Sequence, residues 1–365
     1  MKVVVDNKIP YIKEAIEAVA DKVVYAPGNK ITPGLIKDAD ALIIRTRTIC
    51  NRKLLQKSNV QFIATATIGY DHIDISYCRE AGISWINTPG ANANSVAEYI
   101  ESALSLLLKD HEMRLGEMKM GIVGAGNVGT KVSEKAITFG MSVLENDPPR
   151  AAQENSKLFV TLDRIAEECD IISFHTPLIM EGEYKTYHLA DNAFFCSLKK
   201  KPLIINTARG EVIDTKALLT AMDKGQVSDV IIDVWENEPD IDCELLKRAY
   251  IATPHIAGYS ADGKRNATRM VMEGLCKHFH IDAKINIKLP RPRIAVKKIF
   301  YNDNDIALAA YDPRRDTTWL KNGPEHFEKF RNNYPLRREI EIYYDALNKY
   351  FSKNLFQKTL TKRKM

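Results

Sequence analysis

Hydrophobic positions recur along this chain with two periods, and the two alternate. Short apolar runs rich in β-branched residues at Lys2–Val5, Val23–Tyr25, Ala41–Arg45, Phe62–Thr65 and Ser84–Asn87 have the length and composition of buried strands. Between them, stretches such as Tyr11–Ala20 place apolar residues three and four apart, which predicts helices. A second series opens at Met118–Val123 and continues through Ser142–Glu145, Ile171–Phe174, Leu203–Asn206, Val230–Val234 and Ile251–Ala252. The amphipathic stretch Asn94–Lys109 joins the two series, and Ala261–His280 reads as a helix returning the chain to the first. Strands alternating with helices over roughly the first 280 residues predict an α/β protein with parallel sheets.

The pattern breaks at Ile287. Two prolines bracket Arg291 in Leu289-Pro290-Arg291-Pro292, as a linker would, and a segment rich in Tyr, Arg and Lys follows. It contains one further helical pattern, Leu336–Tyr350, and reads as a small domain of its own. A chain of 365 residues is too long for one ordinary core, which agrees with two or three domains.

Charge follows the same division. The formal net charge is +5, yet Asn286–Met365 holds 18 Lys+Arg against 9 Asp+Glu, leaving the preceding part acidic. A basic end could bind nucleic acid, supply cations to an anionic substrate, or form a solvated surface. No nucleic-acid module is legible in the sequence, so nucleic acid is not an expected partner. The tail Lys358–Met365 has no assignable role. No apolar run reaches bilayer length, so no membrane is expected either. The first strand meets Asp6 too soon for a secretory signal. Six scattered cysteines without a CxxC pair point to reduced thiols in a cytoplasmic protein and to no metal site.

Chemistry enters with Gly124-Ala125-Gly126-Asn127-Val128-Gly129, a GxGxxG that follows a strand and opens a helical run, Thr130–Phe139. Gly124 permits the tight turn, Gly126 lets the backbone approach a pyrophosphate, and Gly129 allows helix and strand to pack closely. The helix start, with Asn127 and Val128, offers N–H groups to phosphates. Asp147 ends the next strand, 18 residues beyond Gly129, where a carboxylate accepts from ribose hydroxyls and repels a 2′-phosphate. The expected cofactor is NAD. Arg150 is a mild signal for NADP.

Three charged residues follow three consecutive strands of the second series: Arg209, Glu238 and His255. In open α/β sheets ligands bind beyond the carboxyl ends of strands, so the three are expected at one edge. Their types fit the oxidation of a hydroxy acid. Arginine forks a carboxylate, histidine takes a hydroxyl proton near neutral pH, and glutamate fixes the imidazole tautomer and stabilises imidazolium. His175, at the end of another strand, would border the cofactor. Arg45 and Arg47 flank Thr46 at a strand end of the first series, where cations and a hydroxyl would suit a phosphate.

The runs GIVGAGNVG, FHTP at Phe174–Pro177, NTARG at Asn206–Gly210, DVWENEP at Asp233–Pro239 and PHIAGY at Pro254–Tyr259 together resemble the D-isomer-specific 2-hydroxyacid dehydrogenases. The resemblance implies two Rossmann-like, doubly wound parallel-sheet domains with the active site in the cleft between them. It implies Arg209 as the carboxylate ligand, Glu238–His255 as the acid/base pair, and cofactor contacts from Asp147, Thr176, Thr207, Ala208, Asp233 and Gly258. Further runs resemble one branch of the family: VDNKIPY at Val5–Tyr11, TATIGYDHID at Thr65–Asp74, DPPRA at Asp147–Ala151, HIAGYSADGK at His255–Lys264, YDPRRD at Tyr311–Asp316 and FRNNYPLRRE at Phe330–Glu339. That branch implies a small phosphorylated 2-hydroxy acid as substrate, touched by Thr46, Thr67 and Tyr259, and a small C-terminal α+β domain that makes a homodimer. The expected domains are 1–93 with 258–285 for substrate, 94–257 for NAD, and 286–365 for dimerisation. We also expect one arginine of Arg337-Arg338 to reach the partner subunit's phosphate site. The alternatives are a 3-phosphoglycerate or hydroxypyruvate dehydrogenase of the same family, and a catalytically silent NAD-sensing scaffold.

Overall fold

The first series of apolar runs forms one parallel sheet in a computed structural model that describes residues 1–289 and 303–344. Its strands are β1 (Lys2–Asp6), β2 (Lys22–Ala26), β3 (Ala41–Ile44), β4 (Phe62–Thr65) and β5 (Ser84–Ile86), in the order β2-β1-β3-β4-β5. Successive side chains of a strand point to opposite faces, and here both faces are covered. Val3 and Val5 pack with Ile12, Ile16 and with Val271, Met272 and Leu275 of the Ala261–His278 helix. Val4 packs on the other side with Ile36, Leu55 and Tyr77. This unit comprises Met1–Asn92 and the described part of Ser260–Arg291. The chain leaves β1 for β2 on one side and returns to β3 on the other, which opens a crevice at the carboxyl ends of β1 and β3.

The second unit comprises Ala93–Tyr259 and the described part of Pro292–Met365. Its strands are β6 (Lys119–Val123), β7 (Ser142–Asn146), β8 (Ile171–Phe174), β9 (Leu203–Asn206), β10 (Asp229–Ile232) and β11 (Ile251–Ala252). All are parallel, in the order β11-β10-β9-β8-β6-β7, so the strand order reverses between β6 and β8. The 18-residue helix Ala93–Asp110 buries Ile100, Leu104 and Leu107 with Met120, Ile122, Ile171 and Ile205 of one sheet face. Ile172, Phe174, Ile204 and Ile232 of the other face pack with Phe194, Phe195 and Leu218. Both sheets are thus the doubly wound parallel type the alternating pattern predicts.

The described C-terminal residues pack on this second unit through the helices Asp303–Ala310, Pro313–Asn322 and Phe327–Asn332. They contain no strand, so the β component of the expected α+β segment is absent among the described residues. Their placement closes an edge. The Ala252 N–H of edge strand β11 donates to Thr317 Oγ1 at 3.1 Å, and Lys321 Nζ donates to Ala249 O at 2.6 Å. Tyr311 stacks on Tyr99 of the Ala93–Asp110 helix, with centroids 5.7 Å apart.

One expectation for this segment needs correction. Helix begins only at Glu341, not at Leu336, because the intervening groups are bound elsewhere: the Ile340 N–H donates to Glu98 Oε1 at 3.0 Å. Of the Arg337-Arg338 pair, Arg337 is engaged within its own chain. It is 6% exposed, lies 4.6 Å over the Tyr311 ring, and donates to Ser95 O at 2.9 Å and Ala257 O at 2.6 Å. The Pro290–Pro292 linker, helix positions from Asp345 and the Lys358–Met365 tail lie outside the described residues.

All six cysteines are unpaired. No described helix is long and apolar enough to cross a membrane, and no cluster of His, Cys, Asp or Glu among the described residues is placed to hold a metal ion.

Candidate active site

The glycine turn lies where the second sheet reverses its strand order. Gly124 has φ 93°, and a Cβ there would sit 2.9 Å from backbone atoms of His175 and Thr176 at the end of β8. A Cβ on Gly129 would meet Gly124 O at 2.0 Å, so helix and turn touch through bare backbone. Gly126 differs: nothing lies within 4 Å of its Cβ position, which leaves open space over the turn. Asn127 and Val128 begin the 12-residue helix Asn127–Thr138, whose first N–H groups have no intrahelical acceptor. Thr176 Oγ1 is buried without a partner among the described residues. Bare helix N–H groups, open space over a glycine and an orphaned hydroxyl at a strand-order reversal fit the pyrophosphate and nicotinamide end of a dinucleotide.

Asp147 ties the adenosine side of this turn together. Its Oδ2 accepts from the Ala125 N–H at 3.0 Å, and its Oδ1 accepts from the Arg150 N–H at 3.1 Å, capping the Pro148–Glu154 helix. Arg150 is already engaged. Its Nε donates to Glu154 at 2.7 Å, it also donates to Ala125 O, and its guanidinium lies 4.9 Å over the Phe159 ring. The cation that could have greeted a 2′-phosphate is therefore held by neighbours, and the acid keeps the site suited to NAD.

His175 links the two strand ends beside the turn. Its Nε2 meets Ser173 Oγ at 2.8 Å and its Nδ1 meets Thr207 Oγ1 at 3.3 Å. Burial pushes its pKa down to about 3, so it is a neutral hydrogen-bonding group rather than a cation. Ala208 N–H donates to Asn206 Oδ1 at 3.0 Å, which turns the loop after β9 toward Arg209.

Arg209, Glu238 and His255 stand on the loops that follow β9, β10 and β11. Gly210 presses the first two loops together, since a Cβ there would lie 1.9 Å from the Trp235 carbonyl carbon. His255 Nδ1 is 2.8 Å from Glu238 Oε2 and 3.1 Å from Oε1. Glu238 Oε1 also accepts from the Trp235 N–H at 3.0 Å. Burial alone would raise the Glu238 pKa; the His255 hydrogen bond and charge outweigh it and hold the carboxyl below its ordinary value. With Glu238 on Nδ1, Nε2 is the ring nitrogen of His255 that the pair leaves available to another group.

The loop that carries His255 is braced from below. His255 has φ 56°, an uncommon conformation for a residue with a side chain. Asp233, 1% exposed, holds it there: Oδ1 accepts from Thr253 Oγ1 at 2.6 Å and from the Ile256 N–H at 2.8 Å, and Oδ2 accepts from the Ala257 N–H at 2.9 Å. Three acceptor positions are used, which leaves one on Oδ2 for a further donor. Tyr99 Oη meets Thr253 Oγ1 at 2.9 Å, connecting this brace to the Ala93–Asp110 helix. Gly258 and Tyr259 complete the loop, and Tyr259 Oη accepts from Arg331 Nε at 3.1 Å.

In the first unit, Arg45 and Thr46 follow β3 beside the β1/β3 crevice, and Arg45 Nη1 donates across it to Lys8 O at 3.3 Å. Thr67 follows the adjacent strand β4; its Oγ1 meets Thr65 Oγ1 at 2.6 Å, and Thr65 meets His72 Nε2 at 3.0 Å. The predicted substrate residues of this unit thus sit at neighbouring strand ends. The pattern of the chain did not mark the bracing role of Asp233 and Tyr99, nor Arg331, which is 72 residues from its partner Tyr259.

Residues 103–257 match the family described as the D-isomer specific 2-hydroxyacid dehydrogenase, NAD binding domain. Over 350 residues the chain is 58% identical to an erythronate-4-phosphate dehydrogenase of Bacteroides fragilis, covering 96% of this chain and 100% of that one. An erythronate-4-phosphate dehydrogenase of Porphyromonas gingivalis is 41% identical, over 94% of this chain and 95% of its own. Among solved structures, NAD-bound 3-phosphoglycerate dehydrogenase of Entamoeba histolytica matches with a TM-score of 0.65 at 28% identity, over 79% of this chain and 99% of that chain. D-lactate dehydrogenase of Aquifex aeolicus, complexed with NAD and lactic acid, matches with a TM-score of 0.63 at 25% identity, over 77% and 96%. The chain belongs to the D-isomer specific 2-hydroxyacid dehydrogenases, among the erythronate-4-phosphate dehydrogenases.

Proposed function

We propose that this chain is an NAD-dependent dehydrogenase that oxidises 4-phospho-D-erythronate to 2-oxo-3-hydroxy-4-phosphobutanoate, a step of pyridoxal 5′-phosphate synthesis. The observation that carries the reaction type is the 2.8 Å contact of His255 with Glu238 at adjacent strand ends, on the same carboxyl edge of the sheet as the glycine turn. The relatives matched over nearly their whole length support the substrate.

NAD, when bound, supplies the hydride acceptor. Gly124, Gly126, Asn127, Val128, Gly129 and Asp147 would hold its phosphates and adenosine ribose, and Thr176, Thr207, Ala208, Asp233 and Gly258 its nicotinamide end. Arg209 grips the substrate carboxylate with its fork and polarises the C2 oxygen. His255 Nε2 accepts the C2 hydroxyl proton, and Glu238 on Nδ1 stabilises the imidazolium that forms. Arg45, Thr46, Thr67 and Tyr259 bind the remainder of the substrate. We further propose a cytoplasmic homodimer made through residues 286–365. Two large apolar side chains exposed on that segment, Trp319 at 41% and Leu336 at 54%, support it. A silent NAD sensor would have no use for the His255–Glu238 pair.

The test is NADH formation, and assay of the oxo acid, with 4-phospho-D-erythronate, D-3-phosphoglycerate and D-glycerate. Runs with and without a 2-oxo acid as hydride acceptor allow for tightly held NADH. A clear preference for phosphoerythronate is expected. His255→Ala should lower kcat by about 10²- to 10⁴-fold with NADH binding retained. Near-normal turnover by that variant would remove His255 as the base, and preference for another acid would replace the substrate.

A further inference from the structure

From the geometry of its second unit we infer that Arg331 is a substrate-binding residue, which grips one anionic group of the substrate beside Tyr259. The inference rests on the reading that the substrate is a phosphorylated 2-hydroxy acid. No motif of the dehydrogenase core contains Arg331; it lies on the Phe327–Asn332 helix of the C-terminal segment.

Three observations converge on it. First, Arg331 stands at the acid/base pair: Nη1 is 4.0 Å from Glu238 Oε2, the same oxygen that is 2.8 Å from His255 Nδ1. At 4.0 Å this is charge proximity and not a hydrogen bond, so Glu238 remains the partner of His255. Secondly, the guanidinium is under-used. Its side chain is 27% exposed, and among the described residues its one hydrogen bond is from Nε to Tyr259 Oη at 3.1 Å. Glu328 Oε1 is also outside hydrogen-bond range, at 3.9 Å. Both terminal nitrogens of a largely enclosed cation therefore have N–H groups to offer, and such a fork suits a carboxylate or phosphate. Thirdly, the Nε bond fixes the plane of the fork against Tyr259, with the guanidinium carbon 5.9 Å from that ring's centroid. A pre-positioned fork loses little entropy on binding an oxyanion.

The charge count of the substrate makes sense of a second arginine. A phosphorylated 2-hydroxy acid carries an anion at each end, and one fork cannot serve both. Arg209, on the loop after β9, and Arg331, on the C-terminal helix, give this unit one fork for each. The solved neighbours are matched almost end to end by less than four-fifths of this chain, and Arg331 lies outside residues 103–257, which match the NAD binding domain of the family. Arg331 is what that segment contributes to the chemistry.

The test uses the full chain with Arg331→Gln and Arg331→Lys, assayed on 4-phospho-D-erythronate and on unphosphorylated D-erythronate, with NADH binding followed by fluorescence. Loss of a charged hydrogen bond to substrate should raise KM by roughly 10- to 100-fold in Arg331→Gln, with kcat reduced less and NADH affinity unchanged. Arg331→Lys should recover part of the loss, because it keeps the charge without the fork. A KM effect confined to the phosphorylated acid assigns the phosphate; an equal effect on both acids assigns the carboxylate. Unchanged KM in both variants overturns the inference. So does a fall in kcat at constant KM with a displaced pH profile, since Arg331 would then act only through Glu238. If wild-type protein turns over only another hydroxy acid, the substrate reading fails by itself. Arg331 is then judged by inorganic phosphate as inhibitor of that reaction: inhibition relieved in Arg331→Gln upholds the inference, and equal inhibition in both proteins overturns it.

Discussion

His255 is held in a left-handed backbone conformation, which costs a residue with a side chain about 1 kcal/mol or more. The surrounding hydrogen bonds must outweigh that cost, and Asp233 supplies three of them. Asp233 follows β10 with its carboxylate buried; desolvation raises its pKa, and His255 and the donors around it oppose the rise. Replacing one carboxylate oxygen by an amide nitrogen would set a donor against either the Ala257 N–H or the Thr253 and Ile256 donors. Asp233→Asn should therefore cost about 2 kcal/mol of stability and lower kcat at least ~10-fold as the His255 loop relaxes. Calorimetry and steady-state kinetics check this, and a variant with wild-type Tm and kcat would show that the loop does not depend on the carboxylate. The strand-end positions of Arg209, Glu238 and His255 were legible because strand ends in an α/β chain can be read from the pattern. Asp233 was readable as a family position, but its place under the loop was not, because its partners are backbone N–H groups 23 and 24 residues away.

At the scale of elements, the contact of the C-terminal segment with the Ala93–Asp110 helix brings charges out of water. Glu98 accepts from the Ile340 N–H, and Ser95 Oγ donates to Glu339 at 2.9 Å. Burial, and then the Glu339 charge, raise the Glu98 pKa to about 8, against the opposing effects of the Ile340 N–H, Arg337 and Lys135. A carboxyl whose folded pKa lies above its unfolded value keeps its proton in the folded state while the unfolded chain releases it. Stability therefore falls as pH rises from about 4.5 to about 8. Glu98→Gln keeps an oxygen acceptor for Ile340 and has no proton to lose. Its Tm should match wild type near pH 5 and exceed it by a margin that grows toward pH 8. A constant difference across that range would show that Glu98 does not titrate in this window. The helices here were only partly readable. Leu336–Tyr350 has helical spacing, yet contacts of Arg337 and Ile340 with distant residues override that local preference up to Ile340.

For the whole molecule, two doubly wound parallel sheets follow from the alternating pattern, and the C-terminal segment is the departure. It protects the β11 edge, carries Arg331 to within 4.0 Å of Glu238, and exposes Trp319 and Leu336. If those side chains form the dimer contact, light scattering should give twice the 41.3 kDa chain mass. Leu336→Lys should shift the protein toward monomer at low concentration, by burying an unpaired charge. A wild-type protein at the single-chain mass would refute the dimer.

The sequence by itself determined the class of fold, the place of the glycine turn after a strand, and the positions of Glu238 and His255 at neighbouring strand ends. These depend on short-range features: hydrophobic period, glycines at fixed offsets, and the rule that parallel strands present ligand residues at their carboxyl ends. Tertiary structure alone decided the rest. It engaged Arg337 within its own chain and set Arg331 within 4.0 Å of Glu238, although both lie in one basic run with the same local signature. A cation's role is set by which acceptors lie within about 3 Å, and in this segment those acceptors come from helix and loop residues far away in sequence.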